Sequence, residues 1–445
     1  MTEDGWQESN GGSGTTPEEA EEQHPLHRHP LPQILFYLTI FTIPYYQLRH
    51  ISPDVPFLKV DWLLVTALAA IIVPNIFGLR RTPESLRSNL WPWLGLFLVV
   101  NVIASLLSSY PGYSFFNVFN PLLVGYIFIA LNMIMISRRG YEMYLPQVLV
   151  WSIGINAFLG TLGYFANYTP FGGERGRGLT IGANNMAFLS IFTVPLLTHW
   201  IFHAKTRVRS VVAVSLLIIN ILGVVSSESR GGFIGLSVVA LLLLYEHRRR
   251  FHPKYLGVAI SLIGAVLLAF ISFIPQDYFQ RQATIGSIGE AGAGKSIQRR
   301  EAYLLVAWDA FTERPVLGNG TLAFPKIWIE SEQKRRFDME ERPAHNTYAE
   351  VLVGTGVLGF FFFIMLLWVT FANFSRAKRL FTSAGEEKLA SLTSAYQLCF
   401  IAVGIYFLFK SGLDHKLFLL SVPLSQVALT LAGTHNETTE ENEAL

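Results

Sequence analysis

The sequence predicts an all-α, polytopic membrane protein with about twelve transmembrane helices and one long outer loop that itself contains a helix. Two observations carry this. Apolar residues make up 51% of the chain and charged residues only 15%, well below the share usual in soluble domains. The apolar residues also come in blocks of about twenty, the length at which a helix crosses a bilayer. The short alternating segments of an outer-membrane barrel are absent. The spans fall near 33–48, 58–78, 90–109, 113–136, 145–166, 179–202, 208–226, 231–246, 255–274, 346–372, 391–410 and 415–433.

Taken in order, residues 1–32 are acidic, carry Gly, Ser, Thr and Pro, and lack an apolar core. They read as a disordered tail, not as a cleavable signal peptide. His24, His27 and His29 lie in this tail without the Cys or carboxylate pattern that completes a metal site. Residues 33–274 hold the first nine spans, 275–344 the long loop, and 345–433 the last three spans. The acidic end, 434–445, reads as a second tail. Cys399 is the one cysteine, so no intrachain disulfide forms.

Basic residues orient the spans. With both termini on the cytoplasmic side, Arg and Lys cluster in the inner loops at 80–87, 138–139, 205–209, 248–254 and 376–388. The loop 275–344 then lies outside. Arg175, Arg177 and Arg230 are exceptions, arginines in short outer loops. Headgroup or carboxylate pairing explains any one of them. Convergence of all three with His345 on one outer-face site is the sharper reading.

His345-Asn346 stands where that polar loop meets the apolar run 347–370. Histidine gives or takes a proton near neutral pH, and a helix N-terminus favours anions. The pair suggests chemistry on an anionic, lipid-borne substrate. Ser227-Glu228-Ser229-Arg230-Gly231-Gly232 joins two spans by a short turn. Arg230 there suits phosphate, whose oxygens match the forked guanidinium donors, and the glycines permit close approach of a neighbour or a ligand. The bland alternative is a tight helical hairpin. Arg175-Gly-Arg177 leads towards Asn184-Asn185, two asparagines that need partners inside a membrane, either another helix or a polar headgroup.

Inside the outer loop, 297–313 reads as a helix ended by Pro315. Leu304, Leu305, Trp308 and Phe311 recur at helical spacing, which suggests a helix lying over the bundle at the interface. Arg299 or Arg300 at its start reaches a substrate or a headgroup. Gly289-Glu-Ala-Gly-Ala-Gly294-Lys295-Ser296 matches a phosphate loop in letters only. No core strand precedes it, and the loop has no room for a nucleotide-binding domain. His199 and His203 lie one turn apart without an acidic partner, and no carboxylate pair of metal-site pattern appears. No metal, other cofactor or nucleic-acid partner is expected.

The order of these signatures resembles the O-antigen ligase and O-antigen polymerase (Wzy-type) superfamily of polytopic membrane glycosyltransferases. The matching residues are Arg177 with Asn184-Asn185, then Ser229-Arg230-Gly231-Gly232, then Arg300, Trp308 and Pro315-Val-Leu-Gly318-Asn-Gly320, and finally His345-Asn346-x-Tyr348 with Gly354, Gly356 and Gly359. The resemblance covers roughly 150–370. It implies a GT-C-like membrane enzyme of the bacterial inner membrane, working on its periplasmic face without metal or nucleotide. The donor it implies is a glycan on undecaprenyl diphosphate. Ligases of the superfamily pass the glycan to lipid A–core, polymerases to another lipid-linked repeat, and relatives to protein hydroxyls. Carried over, His345 activates the acceptor hydroxyl while Arg230 and Arg300 hold the diphosphate. Arg177, with Arg175 as an equal alternative, Arg299, Asn184, Asn346 and Tyr348 are further candidates for substrate contact. The length of the outer loop favours the ligase branch. A lipid-glycan transporter is the reading from another class, against which stand the lack of an internal repeat and the placement of charges at span ends. A non-catalytic scaffold of an envelope complex is a third.

Overall fold

A computed structural model describes residues 30–45, 67–71, 86–168, 175–248, 295–337 and 340–443. Among these residues the chain is helical and has no strands. Seven stretches are long and apolar enough to cross a membrane: Gly140–Phe165, Ala183–Phe202, Arg207–Ser226, Arg230–His247, Thr347–Ser383, Glu387–Phe407 and Lys416–Thr434. Three shorter apolar helices accompany them, α1 (Pro30–Phe41), α2 (Trp91–Leu106) and α4 (Val124–Met135). The expected span 255–274, most of 58–78, and the Gly-rich segment up to residue 294 lie outside the described residues.

The expected span 113–136 is broken. It opens with α3 (Pro111–Asn117), passes through a π-helical stretch at Val118–Leu123 and resumes as α4. Pro121 lies in the π stretch and has no N–H to give to the helical ladder. A second π stretch, Gly140–Tyr144, leads into α5 (Leu145–Phe165). Then come α6 (Ala183–Phe202), α7 (Arg207–Ser226) and α8 (Arg230–Glu246). The outer segment forms α9 (Lys295–Glu313) and α10 (Phe324–Glu330). The last helices are α11 (Thr347–Ser383), α12 (Glu387–Phe407) and α13 (Lys416–Glu443), which continues through residues read from the sequence as tail.

Helices α6, α12 and α13 are mostly buried, while α7 and α8 face outward along most of their length. α11 packs on α2, α12 and α13, and α6 packs on α5, α7, α8 and α12. The Phe363, Phe407 and Phe418 rings meet at the α11–α12–α13 junction. Outer loop and bundle are joined through a break in α11. At Gly356 the backbone turns to φ 62 and ψ −166, which interrupts the helical ladder. Segment 315–320 fills the gap. Asn319 N donates to Val353 O at 2.8 Å, Gly320 N to Gly354 O at 2.8 Å, and Val357 N to Pro315 O at 2.8 Å. A helix break among apolar spans persists only where its backbone groups find such partners. Gly318, at φ +71, lies so close that a Cβ would meet Gly354 C at 2.5 Å.

α9 forms where the sequence places it, but its buried face differs from the expected one. Ala302, Tyr303, Val306, Ala307 and Ala310 are buried, whereas Leu304, Leu305 and Trp308 are exposed. Both sets recur at helical spacing. The small side chains let α9 approach α11 closely, and the large ones face outward, where lipid makes exposure of apolar groups inexpensive.

Candidate functional site

The site begins at the turn between α7 and α8. Ser229 caps α8 by accepting from Gly232 N at 3.1 Å, which leaves Arg230 as the first helical residue. Glu228 before it takes the left-handed conformation at φ +48 and accepts a hydrogen bond from the Tyr164 hydroxyl at 3.1 Å. A Cβ at Gly231 would lie 2.9 Å from Phe409, and one at Gly232 2.7 Å from Ala187. The two glycines therefore serve close helix packing, and this packing brings Arg230 to the ends of α6 and α12.

The segment leading to α6 is laid across α5 and the end of α7. Gly176 N donates to Ser226 O at 2.9 Å, and Leu179 N to the Asn156 side chain at 2.8 Å. Arg175 Nε donates to Ser227 O at 2.7 Å and its Nη2 to Asn184 Oδ1 at 3.2 Å. Asn185 accepts from the Tyr406 hydroxyl at 2.8 Å.

These elements form a small cavity that is open to the outside. Its polar lining includes Arg175, Asn184, Glu228, Arg230, Arg300 and Lys410, and its apolar lining includes Ile191, Ala402, Ile405 and Phe409. Four cationic side chains thus face one carboxylate. Of the residues singled out in the sequence, Arg230, Arg300, Arg175 and Asn184 meet here. Arg177 does not line the cavity; its carbonyl accepts from Thr180 N and Oγ1. Arg299 lies beside the Tyr303 hydroxyl. Tyr348 lies away from the cavity, between α11 and α12, where its hydroxyl donates to Gly404 O at 3.0 Å. Asn346 caps α11 by accepting from Ala349 N at 3.0 Å.

His345 does not itself line the cavity; its ring lies 5.8 Å from the fully buried Tyr303 ring, and the cavity residues Lys410 and Arg300 act on it through their charge. Burial pushes its imidazole down to about 3, and the charges of Lys410, Arg300, Arg342 and Arg299 push the same way. The ring is neutral at pH 7 and has a lone pair for a proton. Burial, and next the Arg230 charge, also hold Arg300 below its usual value. Lys410 is lowered by burial first, with Glu350 opposing and Arg300 assisting. An anion in the cavity relieves this repulsion.

Lys410, which no sequence motif marks, sits on the turn between α12 and α13. Lys410 O accepts from Thr347 Oγ1 at 2.7 Å, which ties that turn to the start of α11.

Comparison with known families now bears on this geometry. Residues 215–364 match the family model described as O-antigen ligase. That stretch is similar to the O-antigen ligase family over about a third of the chain. It contains Arg230, Arg300 and His345, whereas Arg175, Asn184 and Lys410 reach the same site from outside it. A curated relative, an uncharacterized protein of Haemophilus influenzae, is 25% identical over 236 residues. The match covers 51% of this chain and 58% of that relative's length. The matched stretch also contains the α11 break and the 315–320 segment that closes it.

Proposed function

We propose that the protein is a ligase that transfers a glycan from undecaprenyl diphosphate to lipid A–core on the periplasmic face of the bacterial inner membrane, with both termini cytoplasmic. The observation that carries this reading is the cavity lined by Arg175, Arg230, Arg300 and Lys410 together with apolar residues. That mixed lining suits a diphosphate attached to an isoprenoid. The acceptor hydroxyl attacks the sugar's anomeric carbon, His345 takes the hydroxyl proton, and the bond from that carbon to the diphosphate oxygen breaks. Arg230, Arg300 and Lys410 stabilise the charge that develops on the leaving diphosphate. The chemistry calls on neither metal nor nucleotide.

The test is a reconstituted assay with lipid-linked glycan and lipid A–core, in EDTA and without ATP. Glycan on the core supports the ligase. Longer lipid-linked chains from the donor alone would replace it with a polymerase, and donor uptake without bond formation would replace it with a transporter.

Because His345 is held neutral down to about pH 3, kcat/KM should show no acid limb near pH 6.5. Lys410→Met removes the largest charge acting on His345. The imidazole then rises towards its ordinary value and an acid limb moves up in pH. Donor KM should rise as well. A wild-type limb centred near 6.5 would show that the imidazole is not held in this field.

A further inference from the structure

His345 takes the left-handed conformation, φ +52, which costs a non-glycine residue about 1 kcal/mol or more. Two hydrogen bonds on either side of it offset that cost. On its C-terminal side, Ala349 N donates to the Asn346 side chain at 3.0 Å, as in an ordinary helix cap. On its N-terminal side, Ala344 N donates to the Glu350 carboxylate at 2.9 Å. Glu350 therefore reaches back over the start of α11 and closes a ring of backbone around the histidine.

Glu350 is 3% exposed, an unusual place for an acid that serves only a helix end. Asn101, Thr321, Thr347 and Thr355 line a small gap beside it, together with Leu322, Val351 and Leu413. Ser411, the residue after Lys410, lies beside it. The turn that carries Lys410 is fixed to the same first helical turn, since Thr347 Oγ1 donates to Lys410 O at 2.7 Å and accepts from Gly412 N at 3.1 Å. The base and the cavity lysine thus hang from one turn of α11.

We propose that Glu350 is a positioning residue, whose hydrogen bond to Ala344 N–H fixes His345 in the left-handed conformation beside Lys410. This rests on the reading of His345 as the base. The reach of the side chain matters, not its charge. Glu350→Gln keeps the length and an acceptor oxygen. Glu350→Asp keeps the charge but is one methylene too short for Ala344.

Two measurements test this on the full-length protein in detergent or proteoliposomes. In the transfer assay, Glu350→Gln should stay within about threefold of wild type. Glu350→Asp should lose about 100-fold in kcat, with donor KM changed by less than about threefold, since a misplacement near 1 Å costs that much. In the second, diethyl pyrocarbonate labels histidines without substrate and His203 serves as the internal reference. Glu350→Asp should change the His345 labelling rate by at least about threefold, and Glu350→Gln should leave it alone, because labelling follows the placement and solvation of the ring. Equal activity of the Asp variant, unchanged His345 labelling in it, or a Gln variant as impaired as Asp each overturns the proposal. If the unmodified protein transfers no glycan from any donor while His345 labelling still responds to Glu350→Asp, the proposed reaction falls and the positioning role stands.

Discussion

Arg230→Ala and His345→Ala are each expected to abolish glycan transfer while the folded protein stays at its normal level. Arg230 heads α8 with its side chain on the cavity wall, and the cap of that helix comes from Ser229, not from Arg230. The helix therefore keeps its start when the guanidinium is removed. Transfer loses a forked, permanently charged donor opposite the leaving group, and loss of one such donor costs about 10²–10³ in rate. Loss of a positioned base costs about 10²–10⁴. Arg230→Lys should recover little, because a single ammonium does not reproduce the fork. Membrane-fraction yield and the reconstituted assay check both variants together. Near-normal transfer by either one removes that residue from the mechanism.

Gly356→Ala is expected to be the most damaging small substitution in the fold. A Cβ at 356 would lie 2.3 Å from Val316 C and O, atoms of backbone that cannot swing aside, and the residue sits at φ +62. Backbone strain alone costs about 1–3 kcal/mol, and the collision also parts the hydrogen bonds between 315–320 and α11. Most of the folded protein should be lost, or its thermal midpoint in detergent should drop by several degrees. Gly95→Ala is the control. Nothing lies within 4 Å of a Cβ there, so it should shift stability by no more than about 1 kcal/mol. A Gly356→Ala protein as stable as wild type would mean that α11 is not held broken.

Hydropathy made the membrane class and most of the long spans legible, because a bilayer imposes one length on every crossing helix. The break of the span at 113–136 was not legible, since π turns leave no signature in hydropathy. The helix in the outer loop was legible in extent but not in orientation. Tyr303 and its small neighbours carry the same period as Leu304, Leu305 and Trp308, and sequence alone does not say that the larger set faces outward. Arg230, Arg300 and His345 stood out because they fall in the ordered motifs that resemble the O-antigen ligase and polymerase superfamily. Between Arg175 and Arg177 the sequence had no means of choosing; Arg175 lines the cavity because Ser227 O and Asn184 hold its guanidinium. Lys410 and Glu350 were hidden for a common reason. Each is a lone charge at a helix end, where interfacial anchoring is the ordinary explanation, and only the turn shared through Thr347 brings them to His345.

The hydrogen bonds between 315–320 and the break in α11 also set how this protein tolerates recombination. A chimera that imports 295–344 from a relative and keeps the resident α11 must bring a glycine at 318, because a Cβ there would lie 2.5 Å from Gly354 C and part Asn319 N and Gly320 N from Val353 O and Gly354 O. A crossover at 384–386, past the end of α11, keeps each donor with its own acceptor. The unit that can be exchanged intact is the segment 295–344 together with α11.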